Sequence, residues 1–278
     1  MSDAASTRDP RARSRPRVRP ALRFARALVA INLKSSFALR GAFWLQAAFM
    51  AANNALFFVF WWIFFDRFEE IRGWRVADMS ALYGIVATGF GAAVVFAGGV
   101  RDLSRLIADG DLDAFLTQPK SPLLHAIASG THASGWGDIG SGLVFLALSG
   151  LVGWQTLPLA AVAVVCSAVV FVASGVLLHS LAFWLGRVEA LARQLWEFLV
   201  TFSLYPRPLF SGALKLVLFT LIPAGFIGYL PVELLRDYTV AGLLAALGGA
   251  LGYALLAKLV FAAGLRHYES GNRFGVRG

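Results

Sequence analysis

The chain has 278 residues, of which 58% are hydrophobic and only 15% charged, with a mean hydropathy of +0.67. Soluble domains carry about 25% charged and 45–50% apolar residues, so this composition excludes an ordinary soluble enzyme and calls for a bilayer as solvent. The formal charge of +9 is concentrated ahead of the first long apolar run, in Arg8, Arg11, Arg13, Arg15, Arg17, Arg19, Arg23, Arg26, Lys34 and Arg40. Only Asp3 and Asp9 oppose them there, which predicts a cytoplasmic N-terminus beside anionic lipid rather than a nucleic-acid site.

The single cysteine, Cys166, lies in an apolar run, so no intrachain disulfide or cysteine metal cluster is expected. Residues 1–21 read as a disordered basic tail, punctuated by Pro10, Pro16 and Pro20. The tail is too long, and the next run too aromatic, for a cleaved signal peptide. Residues 22–39 follow with Arg23, Arg26 and Lys34 on one side of a helical wheel. Phe24, Leu28, Ile31 and Leu39 fall on the other side, the pattern of an amphipathic helix lying in the membrane interface.

The first span is expected over 41–65, with Asn53 and Asn54 near its middle and an aromatic end at Phe60, Trp61, Trp62, Phe64 and Phe65. The two asparagines can line a substrate path or form interhelical hydrogen bonds, the commoner use of such residues. The loop 66–78 lacks a cationic excess and suits the outer side. The second span, 80–100, is rich in glycine, which lets helices approach closely in lipid.

Residues 101–134 form the most polar internal stretch. It holds Asp109, Asp111 and Asp113, and then Pro119 and Pro122, which break the helix. A cytoplasmic loop with short helices, able to dock a partner, is predicted. Spans three and four fall at 135–154 and 159–185. Beyond them, Glu189, Arg193 and Glu197 are spaced to pair along one helix face.

Residues 195–231 allow two layouts, because Pro206, Pro208, Pro223 and Pro231 interrupt them. The favoured one is a short fifth span to about Tyr205, then a re-entrant segment in the outer leaflet returning by Pro231. The other is a fifth span over 211–230. The last span covers 240–265, with Lys258 near its inner end, and the 266–278 tail carries Arg266, Arg273 and Arg277. The fold class is therefore all-α and polytopic: about six spans forming one permease domain over 22–265, with both termini cytoplasmic.

No G-x-x-x-x-G-K-[ST] loop is present to cradle a nucleotide. His125, His132, His179 and His267 are far apart in sequence, and His179 within the fourth span reads as a packing residue. Acidic residues gather at loops and span ends, unlike the central carboxylates of many ion-driven carriers. The chain reads as a conduit without an engine. An ATP-independent carrier or channel is the alternative.

The segment from Arg105 to Leu123 resembles one in the permeases of type-2 ATP-binding-cassette (ABC-2) exporters, approximately I-x-x-G-x-L-D-x-x-L-x-x-P-x-x-P-L. Ile107, Gly110, Leu112, Asp113, Leu116, Pro119, Pro122 and Leu123 match, while Gln118 stands where an arginine is usual. Tyr205-Pro206, Phe210, the run from Ile222 to Ile227, Tyr229-Leu230-Pro231 and Tyr268-Glu269-Ser270-Gly271 resemble further stretches of that group.

The resemblance implies a six-span half-transporter that pairs with a second permease, identical or related, and with a separate cytoplasmic ATPase. ATP and Mg would bind the ATPase, and no cofactor would bind this chain. It also implies that the ATPase meets the interfacial helix (Arg23, Arg26, Lys34) and the 103–122 segment. The coupling residues there would be Leu103, Ile107, Asp109, Gly110, Asp111, Leu112, Asp113, Leu116, Pro119 and Pro122. Asn53 and Asn54 are the candidates for the substrate path.

Overall fold

The computed structural model describes residues 18–118, 121–206 and 222–268, with the isolated positions 212 and 217. These residues are overwhelmingly helical. The protein is an all-α, polytopic membrane protein. Four helical stretches are long and apolar enough to cross a bilayer: Arg40–Phe68, Val76–Phe96, Leu157–Leu185 and Val240–Leu265.

The interfacial helix α1 spans Val18–Ser36, beginning and ending a few residues earlier than the hydropathy pattern places it. After a short turn, α2 (Arg40–Phe68) runs for 29 residues, about 43 Å at 1.5 Å per residue. Few of its side chains are buried, and Trp44, Phe49, Phe57, Phe60 and Trp62 point outward. Such a face needs lipid or another protein against it. By contrast, α3 (Val76–Phe96) is buried along almost its whole length.

The reason for that burial is α7 (Ser134–Leu148). Ser80 donates to the Phe145 carbonyl at 2.8 Å near one end of α3. Near the other, the His132 amide donates to the Val94 carbonyl at 3.1 Å. The two helices are therefore antiparallel, and α7 with the residues just before it lines α3 from Ser80 to Val94. Glycines set the spacing. A Cβ on Gly91 would lie 2.6 Å from the Gly135 carbonyl oxygen, and one on Gly142 2.6 Å from the Thr88 nitrogen. On the α2 side, a Cβ on Gly137 would lie 2.1 Å from the Ala47 carbonyl oxygen. The helix ends at Leu148 rather than 154 because Gly150 turns the chain at a φ of +68°.

Helix α8 (Leu157–Ser180), extended by α9 (Ala182–Leu185), runs parallel to α3. The Gly89–Ser167 and Val100–Gly175 contacts set that register. Next, α10 (Glu189–Ser203) starts near Asp109, which Arg187 approaches to 3.4 Å. It leads to Tyr205, whose ring meets Trp61 near the far end of α2 at 5.7 Å. It thus links the Arg101 end of the bundle to the Arg75 end over 15 residues.

From Ile222 the described chain forms a π-turn, Gly225–Tyr229, and then α11 (Leu230–Arg236). Gly228 sits against Leu82 and the Ser203 carbonyl, and Tyr229 donates its hydroxyl hydrogen to the Phe202 carbonyl at 2.8 Å. At the other end of α11, Arg236 reaches Asp78 at 3.1 Å and donates to the Gly73 carbonyl at 2.8 Å. This stretch runs from the level of Leu82 to the loop before α3. Residues 207–211, 213–216 and 218–221, on which the expected re-entrant segment largely falls, lie outside the described residues. Helix α12 (Val240–Leu265) closes the bundle against α8, with Gly264 pressed on Phe183. Its N-terminus is capped by Thr239, whose hydroxyl accepts from the Gly242 amide at 3.0 Å.

Candidate functional site

The 103–122 segment folds at the Arg101 end of the bundle. A tight turn, Gly98–Asp102, carries α3 straight into α4 (Leu103–Ala108). Gly110, at a φ of +78°, then reverses the chain, so that the Leu112 amide donates to the Leu106 carbonyl at 3.1 Å. A residue with a Cβ would be strained there, which gives the motif glycine its purpose. After this turn come α5 (Asp113–Leu116) and α6 (Pro122–Ala128). Pro122 occupies the first turn of α6, where its missing N–H costs nothing, and Ser121 caps it by accepting from the Leu124 amide.

The motif residues divide into two groups. Leu103, Ile107 and Leu112 are buried within this chain and anchor the segment to the bundle. Asp109, Gly110, Asp111 and Asp113 are half-buried, and Leu116 is 39% exposed. Pro119 lies outside the described residues. An exposed leucine on a short rigid helix is a suitable contact for a partner, and the buried three cannot contact one directly.

The interfacial helix is attached to the same surface. Asn32 of α1 donates to the Ala128 carbonyl of α6 at 2.9 Å. The ring of His125 on α6 lies edge-on between Phe24 of α1, at 4.8 Å, and Phe115 of α5, at 4.6 Å. Sequence reasoning named His125 without giving it a role and overlooked Asn32, a polar residue set among apolar ones in α1. Arg26 and Lys34 are exposed, Arg23 lies in the same helix, and Leu39 caps α2 instead of belonging to α1.

A second surface borders α4. Ser104, Arg105, Ala108 and Asp109 face Arg187, Glu189, Ala190 and Arg193 across an open recess of ≈ 370 Å³. Arg105 pairs with Asp102 at 3.1 Å, and Arg193 pairs with Glu189 one turn away on α10. The latter is the pair expected from the i,i+4 spacing. The pairing with Asp102 raises the Arg105 pKa above its ordinary value. Both pairs are solvent-exposed, so they shape the recess more than they stabilise the fold. Tyr268 of the C-terminal motif arrives beside this region, its ring 6.0 Å from Phe183. Burial raises its phenol to about 12, and the charge of Asp113 adds to the rise.

The two asparagines of α2 are separated by the structure. Asn53 is exposed on the outward face of the helix. Asn54 points into the bundle and donates to Asp138 Oδ1 at 2.8 Å and to Ser141 Oγ at 2.9 Å on α7. This is the interhelical use of the amide. Asp138, the only acidic residue of α7, is buried at 4% exposure. The sequence reading placed acidic groups only at loops and span ends and so passed over it. An aspartate four residues into an apolar run was the available signal.

Comparison with protein families matches residues 51–272 to the ABC-2 family transporter protein model. That range runs from within α2 through α12 and includes the 103–122 segment. No curated protein and no solved structure matches the chain at a significant level. With the match covering most of the sequence, and with the all-α bundle described above, the chain belongs to the ABC-2 family as a membrane permease of an ABC-type transporter.

Proposed function

We propose that this permease is the membrane half of an ATP-driven exporter in the cell membrane, with its Arg101 end and both termini in the cytoplasm. A separate ATPase docks on the surface formed by α1, α4, α5 and α6, and it alone holds ATP and Mg. Two copies, or one copy beside a related permease, enclose the cargo path. The outward-facing aromatic side of α2 suits such a partner, and Asn53 on that side is the polar contact available to cargo.

The observation that carries this reading is the 103–122 segment. It combines a buried apolar root with an exposed tip, is braced by α1 through His125, and is joined to α3 by the single tight turn Gly98–Asp102. A short helix fixed to a span can pass on a partner's movement as a rigid-body shift. The absence of a nucleotide loop from the sequence supports a separate source of work.

The test is Leu116→Arg, measured as co-purification of the ATPase with the permease. Leu116 is exposed and makes little contribution to the fold, so the variant should insert and fold normally while losing most of its bound ATPase. Undiminished association, with transport intact, would remove the docking assignment.

A further inference from the structure

The root of α4 is tied to more than α3. Ser104 is 1% exposed, and its Oγ lies 2.9 Å from Nδ1 of His179, near the end of α8. The imidazole is fully buried, and its other nitrogen has no hydrogen-bond partner among the described residues. Its ring meets Trp196 of α10 edge-on at 6.3 Å. Trp196 is itself fixed to α8 by donating Nε1–H to the Phe171 carbonyl at 3.2 Å.

Arg101, two residues before α4, completes the arrangement. Its guanidinium lies 5.7 Å from the Trp196 ring centroid and 5.8 Å from that of Phe90 on α3. Cations are held by aromatic faces at such distances. The helices are closely seated here, because a Cβ on Gly175 would stand 2.5 Å from Val100 and 3.2 Å from Trp196. One cluster therefore joins the C-terminal parts of α3 and α8 and the middle of α10 to the first turn of α4.

Packing alone does not account for an imidazole at this position. An apolar ring would fill the same space and bury no nitrogen. What the histidine adds is direction: a hydrogen bond whose partner is on α4.

We propose that His179 is a positioning residue for the 103–116 segment. Its bond to Ser104, with the Arg101–Trp196 contact, makes α4 move together with the end of α8 and the middle of α10. A push on α4 then reaches three membrane helices instead of one. This inference rests on the docking reading for its purpose, but the mechanical link can be tested without it.

The experiment is amide hydrogen exchange on the full chain in lipid nanodiscs. His179→Phe keeps a ring against Trp196 and removes the hydrogen bond, and Ser104→Ala removes it from the other side. Each should speed exchange in 103–109 by about tenfold, the scale of one lost hydrogen bond. Peptides from the α3–α7 interface, 137–147 among them, should keep their wild-type rates. The double variant should be no looser than either single one, because both delete the same contact. His179→Asn, whose amide can reach Ser104 from nearly the position of Nδ1, should restore slow exchange.

Unchanged exchange at 103–109 in both single variants overturns the proposal. So does general loosening that includes 137–147, which would make His179 an ordinary packing residue. Local loosening in variants that still bind and stimulate the ATPase normally upholds the link and counts against the docking reading instead.

Discussion

Asn54 and Asp138 show how much a single side chain can settle inside an apolar bundle. The amide bridges α2 to two groups of α7, with donor–acceptor distances of 2.8 and 2.9 Å. In lipid such a bond is worth about 1–2 kcal/mol, because no water competes strongly for it. Asn54→Leu should therefore lower the thermal stability of the detergent-solubilised chain by about that amount. Asn53→Leu, one position away on the exposed face, should stay within about 0.5 kcal/mol of wild type. Asp138→Asn keeps an acceptor for Asn54 and removes a buried charge, so it should cost less than Asn54→Leu in the same melting experiment. The sequence offered both uses of the asparagines, a path lining and an interhelical bond. Only the rotation of α2 against α7 tells the two residues apart, and periodicity does not fix that rotation for a helix that is apolar all round.

The helices themselves were largely legible. The apolar runs at 41–65, 80–100, 159–185 and 240–265 all correspond to long helices, because about 20 apolar residues have few other structures available in lipid. The two short members were harder to delimit. Helix α7 stops at Leu148, where hydropathy continues to Trp154, since hydropathy does not register the turn at Gly150. The 195–231 stretch was ambiguous for a related reason: prolines mark breaks but not the direction taken after them. The contacts of Arg236 with Asp78 and Gly73 place the end of α11 beside the loop before α3. Glycine placement on α7 leads to a sharp prediction. Gly137 is pressed on the α2 backbone, whereas a Cβ on Gly140 would meet nothing within 4 Å. Gly137→Val should destabilise the bundle by about 3 kcal/mol or more through overpacking. Gly140→Val should remain within about 0.5 kcal/mol of wild type. Size-exclusion profiles and melting curves of the two variants, made side by side, decide the point.

On the scale of the whole molecule, charge predicts orientation. The Arg101 end carries α1, the helix that includes Arg19, Arg23, Arg26 and Lys34, and the Arg75 end carries the balanced loop 66–78. The chain's one cysteine, Cys166, is buried, so introduced cysteines can be read against a silent background. Arg72→Cys should react with a membrane-impermeant maleimide applied to intact cells, and Gln118→Cys only after permeabilisation. Burial explains why the motif for the 103–122 segment was readable while its working surface was not. Its apolar motif residues Ile107 and Leu112 are, with Leu103 just ahead of them, the buried anchors. The recess formed with Arg187 and Arg193 needs residues some 80 positions away that share no motif with it.

The proposed ATPase seated on that end, separate from the permease, is open to a direct test. The most direct measurement is affinity purification of the chain from its native membrane in mild detergent, with crosslinking and mass spectrometry of the proteins that accompany it. The account predicts a near-stoichiometric soluble partner bearing a nucleotide-binding loop, crosslinked to residues of α1 or the 103–122 segment. An intact chain recovered without such a partner after crosslinking, yet moving solute under an ion gradient alone, would contradict it.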